Sequence, residues 1–136
     1  MSWLLPTLGY VAVLGIWGVT GKLALRTLSW QDALLITAVV YTVVAAGLLL
    51  LGQADFKSDS NNWWALASAA CVVSALIFFY IALGTGEVSK VVPVSAAYPA
   101  AAMVLAAVFL SESLTVGKVI GALIVIGGVV LISVSD

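Results

Sequence analysis

Trp17, Tyr41, Tyr80 and Tyr98 carry aromatic rings with polar tips inside long apolar runs. An indole N–H or phenol O–H in such a place needs a hydrogen-bond partner. A cavity holding a polar ligand supplies one, and the ring faces suit apolar or cationic ligand parts. A bond to a neighbouring helix satisfies the same donors, and the sequence leaves that choice open. Thr20 and Ser95 add hydroxyls at similar places, as do Thr37, Thr42 and Ser74. Such hydroxyls also bond back to their own helix. Pro93 and Pro99 lie six residues apart in one run. A proline inside a helix removes a backbone hydrogen bond, kinks the helix and leaves a carbonyl that can face a cavity. The candidate lining is therefore Trp17, Thr20, Tyr41, Tyr80, Ser95, Tyr98 and Pro99. It is aromatic, hydroxyl-bearing and poor in charge. Its chemistry is recognition of a small amphiphile rather than bond making.

The ionisable groups near the apolar runs are few. Lys22 follows a run that already crosses a bilayer core, so its ammonium either snorkels to the interface or meets an anion or counter-ion. Glu112 ends the fourth run, where it caps the next helix, pairs with Lys118 or carries a charge role of its own. No Asp or Glu lies near the middle of any run. There is no His, no Gly-x-Ser-x-Gly elbow and no HExxH, which argues against an enzyme. Cys71 is the single cysteine and sits among apolar residues, so a Cys/His zinc site is not available. No metal and no cofactor are expected.

Those residues need elements to position them, and the composition says which. Of the 136 residues, 64% are hydrophobic and 8% charged. A soluble domain carries roughly a quarter charged residues, so lipid is the solvent. A net charge of −1 gives no basic patch for nucleic acid. Five apolar spans are predicted, at about 3–26, 33–52, 63–84, 88–110 and 116–134. Lipid offers backbone groups no partner, so the spans are helices, and no strand-length alternation suggests a barrel. The first span lacks a positive leader region and is too long for one, which predicts a retained helix. Ser29 or Asp32 can cap the second helix and Ser113 or Thr115 the fifth. Trp63 and Trp64 follow the one long polar loop as an interfacial anchor. Gly117 and Gly121 share a face of the fifth helix and permit close helix packing, within the chain or between chains. The chain is expected to be one five-helix transmembrane domain.

Five spans put the chain ends on opposite faces. Lys22, Arg26 and Lys90 fall on one face, Lys57 and Lys118 on the other. Positive charge normally faces the cytoplasm, and three against two decides little. Either one orientation, with the Lys22 and Arg26 loop inside, or both are expected.

Residues 80–133 carry a further pattern. Tyr80, Ala82 and Leu83 end the third span and a short turn follows. Tyr98 and Pro99 lie within the fourth, which closes on Leu110, Glu112 and Leu114. The fifth begins with Gly121, Ala122 and Leu123 and ends with Gly127 and Gly128. Ile16, Trp17 and Gly18 add an element in the first span. The ordered set resembles the EamA-type domain of the drug/metabolite transporter superfamily. That resemblance implies an all-α integral membrane fold equivalent to one half of a ten-helix inverted-repeat transporter. It also implies a second copy, antiparallel in the dual-topology case, or a related five-helix chain. Inverted halves can expose a shared site alternately by rocking.

Together these readings predict a multi-pass protein of a prokaryotic plasma membrane that exports or facilitates amino-acid-like or amphiphilic compounds by alternating access in a dimer. Two alternatives stay open: a non-transporting membrane subunit or scaffold, and a translocase of a lipid-linked precursor. The absence of a midplane acid argues against the buried-acid antiport of the superfamily's four-helix multidrug members.

Overall fold

The computed structural model describes residues 4–54 and 62–135, and every regular element among them is a helix. The order is α1 (Leu4–Ala24), α2 (Trp30–Leu50), α3 (Asn62–Thr85), α4 (Val88–Ser95), α5 (Tyr98–Phe109) and α6 (Val116–Val134). α1, α2, α3, α6 and the combined run Val88–Phe109 give five stretches long and apolar enough to cross a membrane. Trp3, at the start of the expected first span, and Lys57, in the polar loop, lie outside the described residues.

The helix ends follow local chemistry. Ser29 caps α2: its hydroxyl accepts from the Asp32 N–H at 3.2 Å, and the Asp32 carboxylate accepts from the Ser29 N–H at 3.2 Å. This reciprocal box satisfies two donors that have no intrahelical partner, and it starts α2 ahead of the expected residue 33. Gly52, with φ +63°, ends α2 in the left-handed region. There the Gln53 N–H reaches the Leu48 carbonyl at 2.9 Å and the Gly52 N–H reaches Leu49 at 3.1 Å, the paired bonds of a Schellman motif. Thr115 caps α6 by accepting from the Lys118 N–H.

The fourth span, expected as one helix over 88–110, is two. Pro99 has no N–H to offer the Ser95 carbonyl, and Pro93 already deprives the turn before it. The chain tightens at Ala96 and Ala97 instead. The Ala96 N–H bonds the Pro93 carbonyl at 3.0 Å, Ala97 bonds Val94 at 3.1 Å and Ala100 bonds Ala97 at 3.1 Å. These three-residue bonds make a short turn of 3₁₀ character.

The chain divides into two compact units, with boundaries between Gly18 and Val19 and between Thr85 and Gly86. One unit joins the end of α1 with α2 and α3. Within it α2 packs on α3, and the described buried hydrophobic side chains are Ala33, Tyr80 and Leu83. A Cβ at Gly21 would lie 3.1 Å from Leu83 Cδ2 and 3.9 Å from Tyr80 Cε1, so the bare backbone there leaves room for both. The other unit joins the start of α1 with α4, α5 and α6. Both α4 and α5 pack on α6. A Cβ at Gly18 would meet Val92 Cγ2 at 2.7 Å, so α1 and α4 approach through that glycine. Most large apolar side chains outside these contacts are exposed, as lipid-facing residues are.

Candidate substrate-binding site

In the unit of α2 and α3, Tyr80 is only 5% exposed. Its hydroxyl lies 3.0 Å from Thr37 Oγ1, which in turn donates to the Ala33 carbonyl at 2.9 Å. The threonine has one proton and spends it on Ala33, so the phenol donates to the threonine. Tyr80 is thus held in a helix-to-helix bond. Thr37 and Tyr41 also border an open groove of about 400 Å³ between α2 and α3, whose other walls include Ala69 and Leu76. Tyr41 is 60% exposed. A smaller recess of about 280 Å³ near the chain turns contains Trp30, Tyr80 and Thr85. Thr42 and Ser74 return their hydroxyls to Ala38 and Ala70, one turn earlier on their own helices.

Lys22 stands at the end of this unit. Its ammonium donates to the Leu83 carbonyl at 2.7 Å and lies 3.4 Å from that of Gly84. Both carbonyls belong to the last turn of α3, where intrahelical donors have run out and the helix dipole is negative. The amine, expected either at the interface or against an anion or counter-ion, here donates to a helix end.

In the unit of α1, α4, α5 and α6, Tyr10 and Tyr98 bring their hydroxyls to 3.5 Å. Both rings remain open, at 52% and 57% exposure. Tyr98 opens α5 directly after the turn at Ala96 and Ala97, with Pro99 beside it in the first helical turn. Ser95, on the other side of that turn, returns its hydroxyl to the Val92 carbonyl at 2.7 Å. Trp17 is half-buried, seven residues after Tyr10 and so on the same face of α1. Thr20 is exposed and falls in the other unit. The sequence candidates are thus divided. Ser95, Tyr98 and Pro99 gather at the break in the fourth span, while Tyr80 and Tyr41 belong to α2 and α3. Tyr10 was missed. Its signal was present in the seven-residue spacing from Trp17, but one tyrosine early in a span reads equally well as an interfacial anchor.

The remaining charged candidate, Glu112, is exposed beyond α5. The Lys118 ammonium donates to the Ser113 carbonyl at 3.1 Å, and Thr115 supplies the α6 cap. Among the described residues no ion pair joins Glu112 to Lys118. Gly117 and Gly121 are exposed, and a Cβ at either would meet nothing within 4 Å. The close packing that their spacing permits is not made within the described chain. Among the described residues no three His, Cys, Asp or Glu side chains group as metal ligands would. The break in the fourth span brings together hydroxyls, ring faces and irregular backbone.

Residues 1–134 match the EamA-like transporter family. The chain belongs to that family. That family is a transporter family of the drug/metabolite superfamily, not an enzyme family, and five helices long and apolar enough to cross a membrane make this chain a multi-pass membrane protein. It is also 40% identical over 73 residues to an uncharacterised protein of Methanocaldococcus jannaschii, a match covering 54% of this chain and 53% of that protein. The chain therefore spans about half the length of the curated relative it matches. No solved structure matches it.

Proposed function

We propose that this EamA-like chain carries small amphiphilic or amino-acid-like metabolites across a prokaryotic plasma membrane, as an exporter or facilitator, by alternating access in a dimer. The observation that carries this reading is the broken fourth span. Tyr98, Pro99 and Ser95 surround a turn at mid-span, and Tyr10 reaches Tyr98 from α1. Irregular backbone is tolerated at membrane depth where it is buried in protein or lines a water-filled cavity, and broken helices serve substrate sites in other carriers. The apolar runs and scarce charges favour cargo with an apolar body. A second copy is the expected partner. Gly117, Gly121 and Gly128 lie along one face of α6 with open space over each, which supports close approach by another helix. The weak charge bias supports antiparallel pairing.

Reconstitution tests the reading. Liposomes containing only this protein should take up labelled members of a panel of amino acids and uncharged amphiphiles, saturably and faster than protein-free liposomes. A panel of such compounds that shows no protein-dependent flux sinks it. Lipid-linked cargo is the second reading, favoured by the open apolar groove between α2 and α3. Flipping of a polyprenyl-linked fluorescent lipid without flux of free metabolites would select it.

A further inference from the structure

We infer that Tyr10 and Tyr98 form a hydrogen-bonding clamp for an uncharged polar head, an amide, alcohol or carbonyl, at one end of an apolar ligand. The clamp rests on the transport reading for its purpose and narrows the cargo of that same site to uncharged amphiphiles, away from zwitterionic amino acids. Its hydroxyls stand 3.5 Å apart, whereas a strong O–H···O bond is about 2.7–2.8 Å. Neither hydroxyl is fully used by the other. Between them they hold two protons and four lone pairs, which an amide, both acceptor and donor, can match. The two rings are open although both residues lie within spans. Tyr98 is eleventh in the 22-residue run Val88–Phe109, about 15 Å from its start and close to mid-membrane.

Charge decides which head fits. In this unit the described ionisable groups other than the tyrosines are Glu87 and Lys90 at the start of the fourth span, and Glu112 and Lys118 beyond its end. None is at the depth of Tyr98. An ionised head held there would find no counter-charge at that depth among the described residues of this unit, and an unpaired ion in a low-dielectric setting costs far more than a phenol bond returns. An uncharged head meets no such cost. The nearest other side-chain hydroxyl on α4, that of Ser95, is already donated to Val92.

Three probes with one benzyl body test this: phenylacetamide, phenylacetate and phenethylamine. Their binding is measured to the full chain in nanodiscs, corrected with empty nanodiscs. Phenylacetamide should bind about tenfold more tightly than either charged probe. Tyr10→Phe and Tyr98→Phe, which keep the rings, should each weaken it by about five- to tenfold, as loss of one uncharged hydrogen bond does. Ethylbenzene, the body without a head, should bind the variants and the unsubstituted protein alike. Should a variant fail to fold, the comparison among probes on the unsubstituted protein still decides. Equal or tighter binding of a charged probe, undiminished amide binding by both folded variants, or no binding of any probe overturns the clamp. Metabolite flux without amide preference removes the clamp and leaves transport standing. Amide preference without flux does the reverse.

Discussion

The Lys22 ammonium donates to the Leu83 carbonyl at 2.7 Å, joining the end of α1 to the end of α3. Leu83 is the described side chain with no exposure at all. The bond therefore sits beside the most enclosed of the described side chains. A cation on an otherwise open helix C-terminus contributes through both the hydrogen bond and the dipole. Lys22→Met should lower unfolding stability by about 1–2 kcal/mol, and hydrogen exchange at Thr85 and Gly86 should accelerate. Lys22→Arg should recover part of the loss. An unchanged melting curve for Lys22→Met would remove the capping role.

Gly18 and Gly117 are predicted to respond oppositely to the same methyl group. The Cβ of Gly18→Ala would meet Val92 Cγ2 at 2.7 Å, and a valine has few rotamers with which to yield. Overpacking of this kind costs about 1–3 kcal/mol. Gly117→Ala and Gly121→Ala meet nothing within 4 Å among the described residues and gain helix propensity. They should leave the monomer fold intact while lowering the dimer fraction in crosslinking or light scattering. Dimer yield equal to that of the unsubstituted chain would move the interface away from α6.

Ser111 holds φ +55°, a left-handed conformation that L side chains other than Asn and Asp seldom adopt. It turns the chain so that the Glu112 N–H reaches the Ala106 carbonyl at 3.3 Å. Ser111→Gly should stabilise the protein by about 0.5–1 kcal/mol, and Ser111→Val should destabilise it by at least as much. Thermal unfolding in a fixed detergent compares the three.

Tyr80→Phe removes the donor to Thr37 but leaves the threonine bonded to Ala33. Hydrogen bonds between membrane helices average about 0.6 kcal/mol, so the loss should be of that order. Tyr80→Ala should cost about 3–5 kcal/mol through its cavity. A large effect of Tyr80→Phe on flux with little effect on stability would instead give the hydroxyl a part in cargo binding.

Pro99→Ala restores an N–H to the Ser95 carbonyl and should lengthen helix across Ala96 and Ala97. Helix content should rise slightly in circular dichroism while metabolite flux falls. Flux at the level of the unsubstituted chain would show that the break serves packing alone.

The spans were legible because each is an apolar run with charge only near its ends, and lipid permits few other backbone solutions for such runs. Ser29, Asp32 and Thr115 were legible as caps because their chemistry is local. The break of the fourth span was half legible: Pro93 and Pro99 announced a disturbance, but its place at Ala96 and Ala97 depends on which nearby carbonyls the freed N–H groups can reach. The use of Lys22 was not legible, since its acceptor lies 61 residues away in the chain. Tyr10 was hidden for the same reason, because its partner Tyr98 comes 88 residues later. Gly18 and Gly117 look alike in the sequence, and the helix that passes one and not the other separates them.

Among the described residues, Ala33, Tyr80 and Leu83 are a short inventory of enclosed apolar side chains for five spans. A freshly inserted copy therefore owes little of its persistence to its own interior. Whatever lies against its outer faces, lipid tail or protein, governs its lifetime. Its abundance in a cell should track bilayer thickness and the supply of neighbours more closely than it tracks substitutions in its small core, and copies left uncovered are those a membrane protease would remove first.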